Sequence, residues 1–180
     1  MLSELDILRD VTKRFDEAGI QYMLTGSFAL NYYAQPRMTR DIDFVVALAP
    51  KDADSVAALF EDDYYVPRNA VVRAITSQTL FNIIHSEGAL KVDCIVRKNT
   101  EYRRLEFERR RQVNVDDLRI WIVGKEDLII SKLLWAKDSH LEFQLRDVKS
   151  LLKSGYDADY LETWTKKLEL DELLKECLDE

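Results

Sequence analysis

The sequence is poor in backbone breakers, cysteine and basic charge, and has no long apolar run. Each shortage removes a class of protein. Five glycines and three prolines in 180 residues leave little room for a disordered linker. There are two cysteines, Cys94 inside an apolar run and Cys177 near the C-terminus. They have no metal-ligand spacing, so no zinc site is expected and both should remain reduced thiols. No apolar run is long enough to cross a bilayer, and Met1-Leu2-Ser3-Glu4-Leu5-Asp6 is not a charged-then-apolar leader. A cytoplasmic protein with no membrane partner is expected. The formal net charge is −7, with 11 basic and 14 acidic side chains over residues 1–98 and 15 and 19 over residues 99–180. Affinity for nucleic acid of any sequence comes chiefly from phosphate neutralisation, so broad duplex binding is not expected. What the chain does have is 47% hydrophobic content, enough for one good core or a core with a small helical lobe.

The most informative stretch is Leu24 to Val46, LTGSFALNYYAQPRMTRDIDFVV. In Asp41-Ile42-Asp43-Phe44-Val45-Val46, strand geometry sends both carboxylates to one face, about 6.5 Å apart along the backbone. Ile42 and Phe44 point the other way, into a core. Like charges beside an apolar run are costly unless a cation sits between them, and hard cations such as Mg2+ take oxygen ligands of this kind. The alternative is the solvated face of a half-buried strand. Upstream, Gly26-Ser27 follows the apolar run Gln21-Tyr22-Met23-Leu24 and precedes a helix-like segment, Phe28 to Ala34. Gly26 would let a ligand approach the backbone, and the N–H groups of the following helix, with the Ser27 hydroxyl, would face an anion. An ordinary turn with Ser27 as helix N-cap is the simpler alternative.

Leu24-Thr25-Gly26-Ser27, thirteen residues, then Asp41-Ile42-Asp43-Phe44 resembles the signature of the DNA-polymerase-β-like nucleotidyltransferase superfamily. Thr25 stands where that pattern usually has an apolar residue. Arg37-Met38-Thr39-Arg40 ahead of the aspartates resembles the form found in AbiEii-type toxins and related small bacterial nucleotidyltransferases. The resemblance implies a third carboxylate on a later strand, and Leu90-Lys91-Val92-Asp93-Cys94-Ile95-Val96 supplies it. Leu90, Val92, Cys94 and Val96 alternate onto one face, leaving Lys91, Asp93 and Ile95 on the other. Ser86-Glu87-Gly88 links this run to its expected hairpin partner, Leu80 to His85. Asp93 on an exposed sheet face, neighboured by Lys91, is the alternative.

A weaker likeness to the same small enzymes lies in Lys125 to Trp135 and in Leu145-Arg146-Asp147-Val148. Lys132 falls four residues after Leu128, on a partly apolar helix face. It either reaches a triphosphate or snorkels from a buried stem. Arg146-Asp147 reads as a structural ion pair or as the group that orients Lys132. Tyr102 to Arg111 mixes five arginines with aromatics, but Glu101, Glu106 and Glu108 allow i, i+3 and i+4 pairing. A solvated helix face is expected there, with an acceptor-docking patch as the alternative.

Periodicity and breakers lay out the rest. Ser3 to Ala18 reads as an amphipathic helix with Leu5, Leu8, Val11, Thr12 and Phe15 on one stripe, ended by Gly19. Strands at 22–24 and 41–47 flank the 28–34 helix. Pro50 opens a helix through Phe60, a segment at 66–75 precedes the 80–97 hairpin, a helix covers 101–110, and short strands lie near Val113 and at 119–123. Beyond Lys125 three or four helices join at Ser139, Gly155 and Leu170. The expected fold is α/β (α+β): a nucleotidyltransferase-type mixed sheet flanked by helices over residues 1–124, with a helical lobe over 125–180.

The resemblance implies transfer of a nucleoside monophosphate from an NTP to an acceptor with release of pyrophosphate. Asp41, Asp43 and Asp93 would hold Mg2+ or Mn2+, with Asp93 also deprotonating or orienting the acceptor. Gly26 and Ser27 would hold the triphosphate, and Arg37 or Lys132 would add charge. The acceptor is open: an aminoglycoside-like antibiotic, a tRNA end or a protein side chain. Two other classes stay in view. One is a non-catalytic nucleotide- or protein-binding component of a toxin–antitoxin pair, and the other is a sugar transferase that uses Asp-x-Asp to bind a metal–nucleotide-sugar complex.

Overall fold

A computed structural model describes residues 2–139 and 142–179. Helix α1 (Glu4–Glu17) starts at Ser3, whose Oγ accepts from the Asp6 N–H while Asp6 accepts from the Ser3 N–H, a reciprocal cap. It buries Leu8, Val11, Thr12 and Phe15, with Ile7 in place of the half-buried Leu5. Then come β1 (Tyr22–Thr25), α2 (Gly26–Tyr33), β2 (Ile42–Val46), a 3-10 turn (Pro50–Asp52) and α3 (Ala53–Phe60). The helix expected from Pro50 is thus split, because Asp52 accepts from the Ala49 N–H and caps a separate turn. A two-residue strand, β3 (Tyr64–Tyr65), leads to α4 (Arg68–Ser77) and the hairpin β4 (Leu80–His85) and β5 (Lys91–Val96). The chain continues through α5 (Glu101–Glu108), β6 (Arg111–Val115), β7 (Leu118–Ile122), α6 (Lys125–Ser139), α7 (Glu142–Leu152), α8 (Ala158–Lys167) and α9 (Asp171–Leu178).

The strands form one seven-stranded mixed sheet in the order β3-β4-β5-β2-β1-β7-β6. β2 lies antiparallel to β1 and parallel to β5, and β7 lies parallel to β1. Alternation sorts each central strand into two faces. Ile42, Phe44, Val46, Val92, Cys94, Phe81 and Ile83 are buried on one face. Phe15 of α1 packs there against Phe44 and against Phe60 of α3, with ring centroids 5.6 and 5.8 Å apart. Asp43, Val45, Asp93, Ile95 and Asn82 on the other face are only partly covered.

One continuous hydrophobic cluster runs from this sheet into the C-terminal helices, through Leu128, Leu133, Val148, Leu161 and Leu174. Helix α6 packs on α2 and so overhangs the partly covered face. Among the described residues no helix is long and apolar enough to cross a membrane.

Candidate active site

One rung of the sheet carries the polar residues. Thr25 of β1 pairs with Asp43 of β2, Asp43 with Asp93 of β5, and Asp93 with Asn82 of β4. The parallel register therefore sets Asp43 and Asp93, fifty residues apart in sequence, directly side by side on the partly covered face. Asn82 donates from Nδ2 to Asp93 Oδ1. The Asp41 side chain, just ahead of β2, is 61% exposed at the mouth of the site. Lys91 lies between the outer carboxylates, its Nζ 3.4 Å from Asp93 Oδ2 and 3.7 Å from Asp41 Oδ1. Partial burial works against that ammonium, but Asp93 and Asp41 outweigh it and hold its pKa above the ordinary lysine value.

Asp43 is the perturbed carboxylate. Burial first, then the charges of Asp93 and Asp41, push its pKa up to about 6, against weaker help from Lys132 and Lys91. Gly26 accounts for how closely this group is held. It has φ +65°, and a Cβ there would stand 2.2 Å from Asp43 Oδ2 and 2.8 Å from Asp43 Cγ. Only glycine leaves room for the carboxylate and tolerates that backbone. The close approach expected of a ligand at Gly26 is made in the folded chain by Asp43 itself.

Ser27 does not cap α2. The helix begins at Gly26 with Thr25 in the N-cap position and no side-chain cap. The Ser27 Oγ instead accepts from Arg37 NH2 at 2.8 Å. Arg37 then donates both ways to Asp147, from Nε at 3.1 Å and from NH2 at 2.9 Å. Lys132 Nζ donates to Asp147 Oδ2 at 2.7 Å and to Gln144 Oε1 at 3.2 Å. Lys132 is 1% exposed, so it is a buried ion-paired lysine and not a snorkelling one. Burial lowers its pKa against the pull of Asp147. Burial would raise Asp147, but the hydrogen bonds from Arg37 and Lys132 prevail and its pKa is lowered. Of the Arg146-Asp147 pair, only Asp147 enters this cluster, since Arg146 is exposed.

A cavity of about 400 Å³ opens beside the carboxylates. Asp43 and Asp93 stand at one end, Val45, Leu80 and Ile95 form an apolar stretch, and Arg97 and Lys98 lie beyond it. Arg103 and Glu106 of α5 and Ser131 and Trp135 of α6 face the same space. The fully wet face expected for α5 is not what forms. Glu106 is 2% exposed because α6 covers it, and it accepts from Ser131 Oγ at 2.5 Å and from Arg103 NH1 at 2.9 Å. The i, i+3 pairing of Arg103 with Glu106 does form, but as a buried contact.

Sequence reasoning missed Asn82, Arg97, Glu106, Ser131 and Trp135. Arg97 was within reach of it, being two residues past Ile95 on the face of Asp93. The α6 residues were not, because nothing local says which strand a helix covers.

As folded, no three acidic, histidine or cysteine side chains among the described residues gather closely enough to hold a metal ion. The donor chemistry nevertheless suits Mg2+ or Mn2+: hard oxygens, adjacent across the sheet, with burial first and then the charges of Asp93 and Asp41 pushing the Asp43 pKa up to about 6. The Lys91 ammonium sits where positive charge is called for, between Asp41 and Asp93.

No protein-family model and no curated protein matches the sequence. Solved structures do. The lincosamide antibiotic adenylyltransferase LnuA, solved with lincomycin, is similar over 83% of this chain and 98% of its own, at 15% identity and TM-score 0.54. ANT(2″)-Ia, in complex with adenylyl-2″-tobramycin, is similar over 96% and 95% at 11% identity and TM-score 0.54. A nucleotidyltransferase-like protein from Paracoccidioides brasiliensis is similar over 96% and 92% at 17% identity and TM-score 0.54. Identities this low speak to architecture, and on that ground the chain has the nucleotidyltransferase fold.

Proposed function

We propose that this protein transfers a nucleoside monophosphate from an NTP to an acceptor hydroxyl, releasing pyrophosphate. The observation that carries the reading is the side-by-side pair Asp43 and Asp93, with Gly26 shaped to admit the Asp43 carboxylate and the start of α2 beside it. Gly26 and Ser27 lie on the β1 side of the pair, and the cavity reaches from Thr25 of β1 across Asp43 and Asp93 to Leu80 of β4, so donor and acceptor would meet over the carboxylates. LnuA and ANT(2″)-Ia, which share the fold, are named for or captured in adenylyl transfer to antibiotics.

In the proposed step the acceptor oxygen attacks the α-phosphorus in line with the bond to the β-phosphate. A new O–P bond forms, the α–β bridging P–O bond breaks, and pyrophosphate leaves with that electron pair. The hydroxyl proton passes to Asp93, whose other oxygen is steadied by Asn82. Backbone N–H groups at the start of α2 and the Ser27 hydroxyl hold the triphosphate. Arg37, 40% exposed in its side chain and already on Ser27 Oγ, is the cation best placed to add charge there. Lys132 acts on Asp43 from within the fold. Asp41, Asp43 and Asp93 are the residues that would hold Mg2+ or Mn2+, which would neutralise phosphate charge and so lower the barrier. Positioning supplies much of the remaining rate.

Residues 1–124 form the catalytic core in this reading, and residues 125–180 the lobe that closes one side of the cleft. The presence of all three carboxylates weighs against a non-catalytic toxin–antitoxin component. The test is incubation with each labelled NTP, Mg2+ or Mn2+ and cell extract. Label should move to an acceptor with pyrophosphate released. No transfer and no pyrophosphate above the Asp93→Asn level, across all four nucleotides, would replace this reading with the non-catalytic one.

A further inference from the structure

The cavity beside the carboxylates is not uniform, and its far end is basic. Asp93 and Ile95 occupy alternate positions on one face of β5, and Arg97, the residue just past its end, continues that alternation at roughly 6.6 Å intervals. The Arg97 N–H donates to Val46 O at 2.9 Å, which carries the ladder with β2 to this point. Lys98 stands next to it at the rim, exposed. Among the described residues no carboxylate lies within ion-pair distance of Arg97 or Lys98, whereas the third cation lining the cavity, Arg103, is committed to Glu106.

The charge here is also crowded. The Arg97 guanidinium lies 5.4 Å from the centre of the Phe107 ring, and that of Arg110 lies 4.3 Å from the same ring. Burial first, and then the nearby Arg97 charge, lower the pKa of Arg110. Both bury an Nε–H that has no hydrogen-bond partner. Arg97 lines the cavity with no counter-ion among the described residues and with a second cation behind it, an arrangement that an anion in the cavity would relieve.

Resting on the transferase reading above, we propose that this cavity is the acceptor pocket and takes a small hydroxyl-bearing molecule with an anionic group. The hydroxyl lies at Asp93, an apolar body crosses Val45, Leu80, Ile95 and Trp135, and a carboxylate or phosphate lies at Arg97 and Lys98. A cavity of about 400 Å³ suits a molecule of drug-like size or smaller. Amine-bearing acceptors of the aminoglycoside kind are disfavoured, because their cations would meet the basic end.

Three matched probes separate the possibilities: 4-(hydroxymethyl)benzoate, 4-(hydroxymethyl)phenyl phosphate and 4-(hydroxymethyl)benzylamine. They share a ring and a hydroxyl and differ in the charged end. Their binding is read by ligand-observed NMR on the intact protein, with Mg-ATP binding measured on the same sample. At least one anionic probe should bind about tenfold or more tightly than the amine, and the ratio of the two anions tells carboxylate from phosphate. Arg97→Gln with Lys98→Gln should abolish the preference while Mg-ATP affinity stays unchanged. If that double variant does not fold, Lys98→Gln alone, at an exposed residue, should at least halve it.

Equal or tighter binding of the amine, no saturable binding of either anion, or a preference that survives the substitutions overturns the proposal. Binding of a single-stranded RNA with a free 3′-hydroxyl but of neither anionic probe overturns it in favour of a nucleic-acid end. Loss of the anion preference with Mg-ATP binding intact leaves the transferase reading standing. Absence of Mg-ATP binding with the preference intact defeats that reading instead.

Discussion

Replacing Gly26 with alanine should separate backbone strain from disruption of the carboxylate pair, because Gly19 offers a matched control. Both glycines are in the left-handed region, at φ +65° and +68°. An alanine in that region costs about 1–2 kcal/mol. At Gly19 nothing lies within 4 Å of the new Cβ, so this backbone cost is the whole effect. At Gly26 the new Cβ would stand 2.2 Å from Asp43 Oδ2 and 3.0 Å from Asp43 Cβ. The carboxylate must then leave its place, at a further cost of about 0.5–1.5 kcal/mol for a strained rotamer. Gly26→Ala should therefore lose roughly 1.5–3.5 kcal/mol against 1–2 for Gly19→Ala, or roughly 3–14 °C in Tm for a chain of this size.

Activity should divide the two variants more sharply. Gly19→Ala should transfer nucleotide at the wild-type rate. Gly26→Ala should fall by about 100-fold or more, since displacing a catalytic group by about 1 Å commonly has that effect. Thermal unfolding followed by circular dichroism gives the first comparison, and pyrophosphate release at saturating NTP gives the second. A folded Gly26→Ala protein with wild-type activity would refute the assignment of Asp43 to the reacting centre.

Three further outcomes are expected. Asp43 titrates near 6 in the folded chain, above its ordinary value of 3.8, so its buried charge is a penalty that is fully present above pH 6 and disappears as pH falls toward 4. Without divalent cation, wild type should gain roughly 1.5 kcal/mol from this group between pH 8 and pH 5, and Asp43→Asn should lack that gain while being more stable than wild type at pH 8; parallel melting curves at pH 5 and 8 decide it. Asp93→Asn should bind Mg-NTP within a few-fold of wild type yet lose about 100-fold or more in transfer, measured by calorimetry and pyrophosphate release. Asp147→Ala should cost about 3–5 kcal/mol in denaturant unfolding by leaving Lys132 buried without its carboxylate, and Lys132→Met with Asp147→Leu should cost less. A double variant less stable than the single one would show that the pair has net stabilising value.

The sequence by itself determined the local pieces. Alternation in 41–46 and 90–96 decided which side chains enter the core, because a strand's period of two is set by its own backbone. The Gly-Ser turn and the aspartates were readable through a resemblance carried by motif spacing, which also directed attention to Asp93. The breaks near Gly155 and Leu170 followed from the same local rules, as did most of α1. What lay across long sequence separations was decided only in three dimensions. The register that places Asp43 beside Asp93 comes from the pairing of β2 with β5, and many registers are compatible with two apolar strands read separately.

Arg37, Lys132 and Asp147 meet across as many as 110 residues; the sequence offered the Arg146-Asp147 pair as a group that orients Lys132, but not that Arg37 joins Asp147 there. Whether Glu106 was wet or buried depended on α6 lying over α5, and helix periodicity says which residues share a face without saying what covers it. The basic end of the cavity has the same origin. Arg97 is placed on its face by local geometry, but the absence of a carboxylate opposite it among the described residues is a property of every element packed around the sheet. Burial and charge pairing are sums over neighbours, and the neighbours are chosen by tertiary packing.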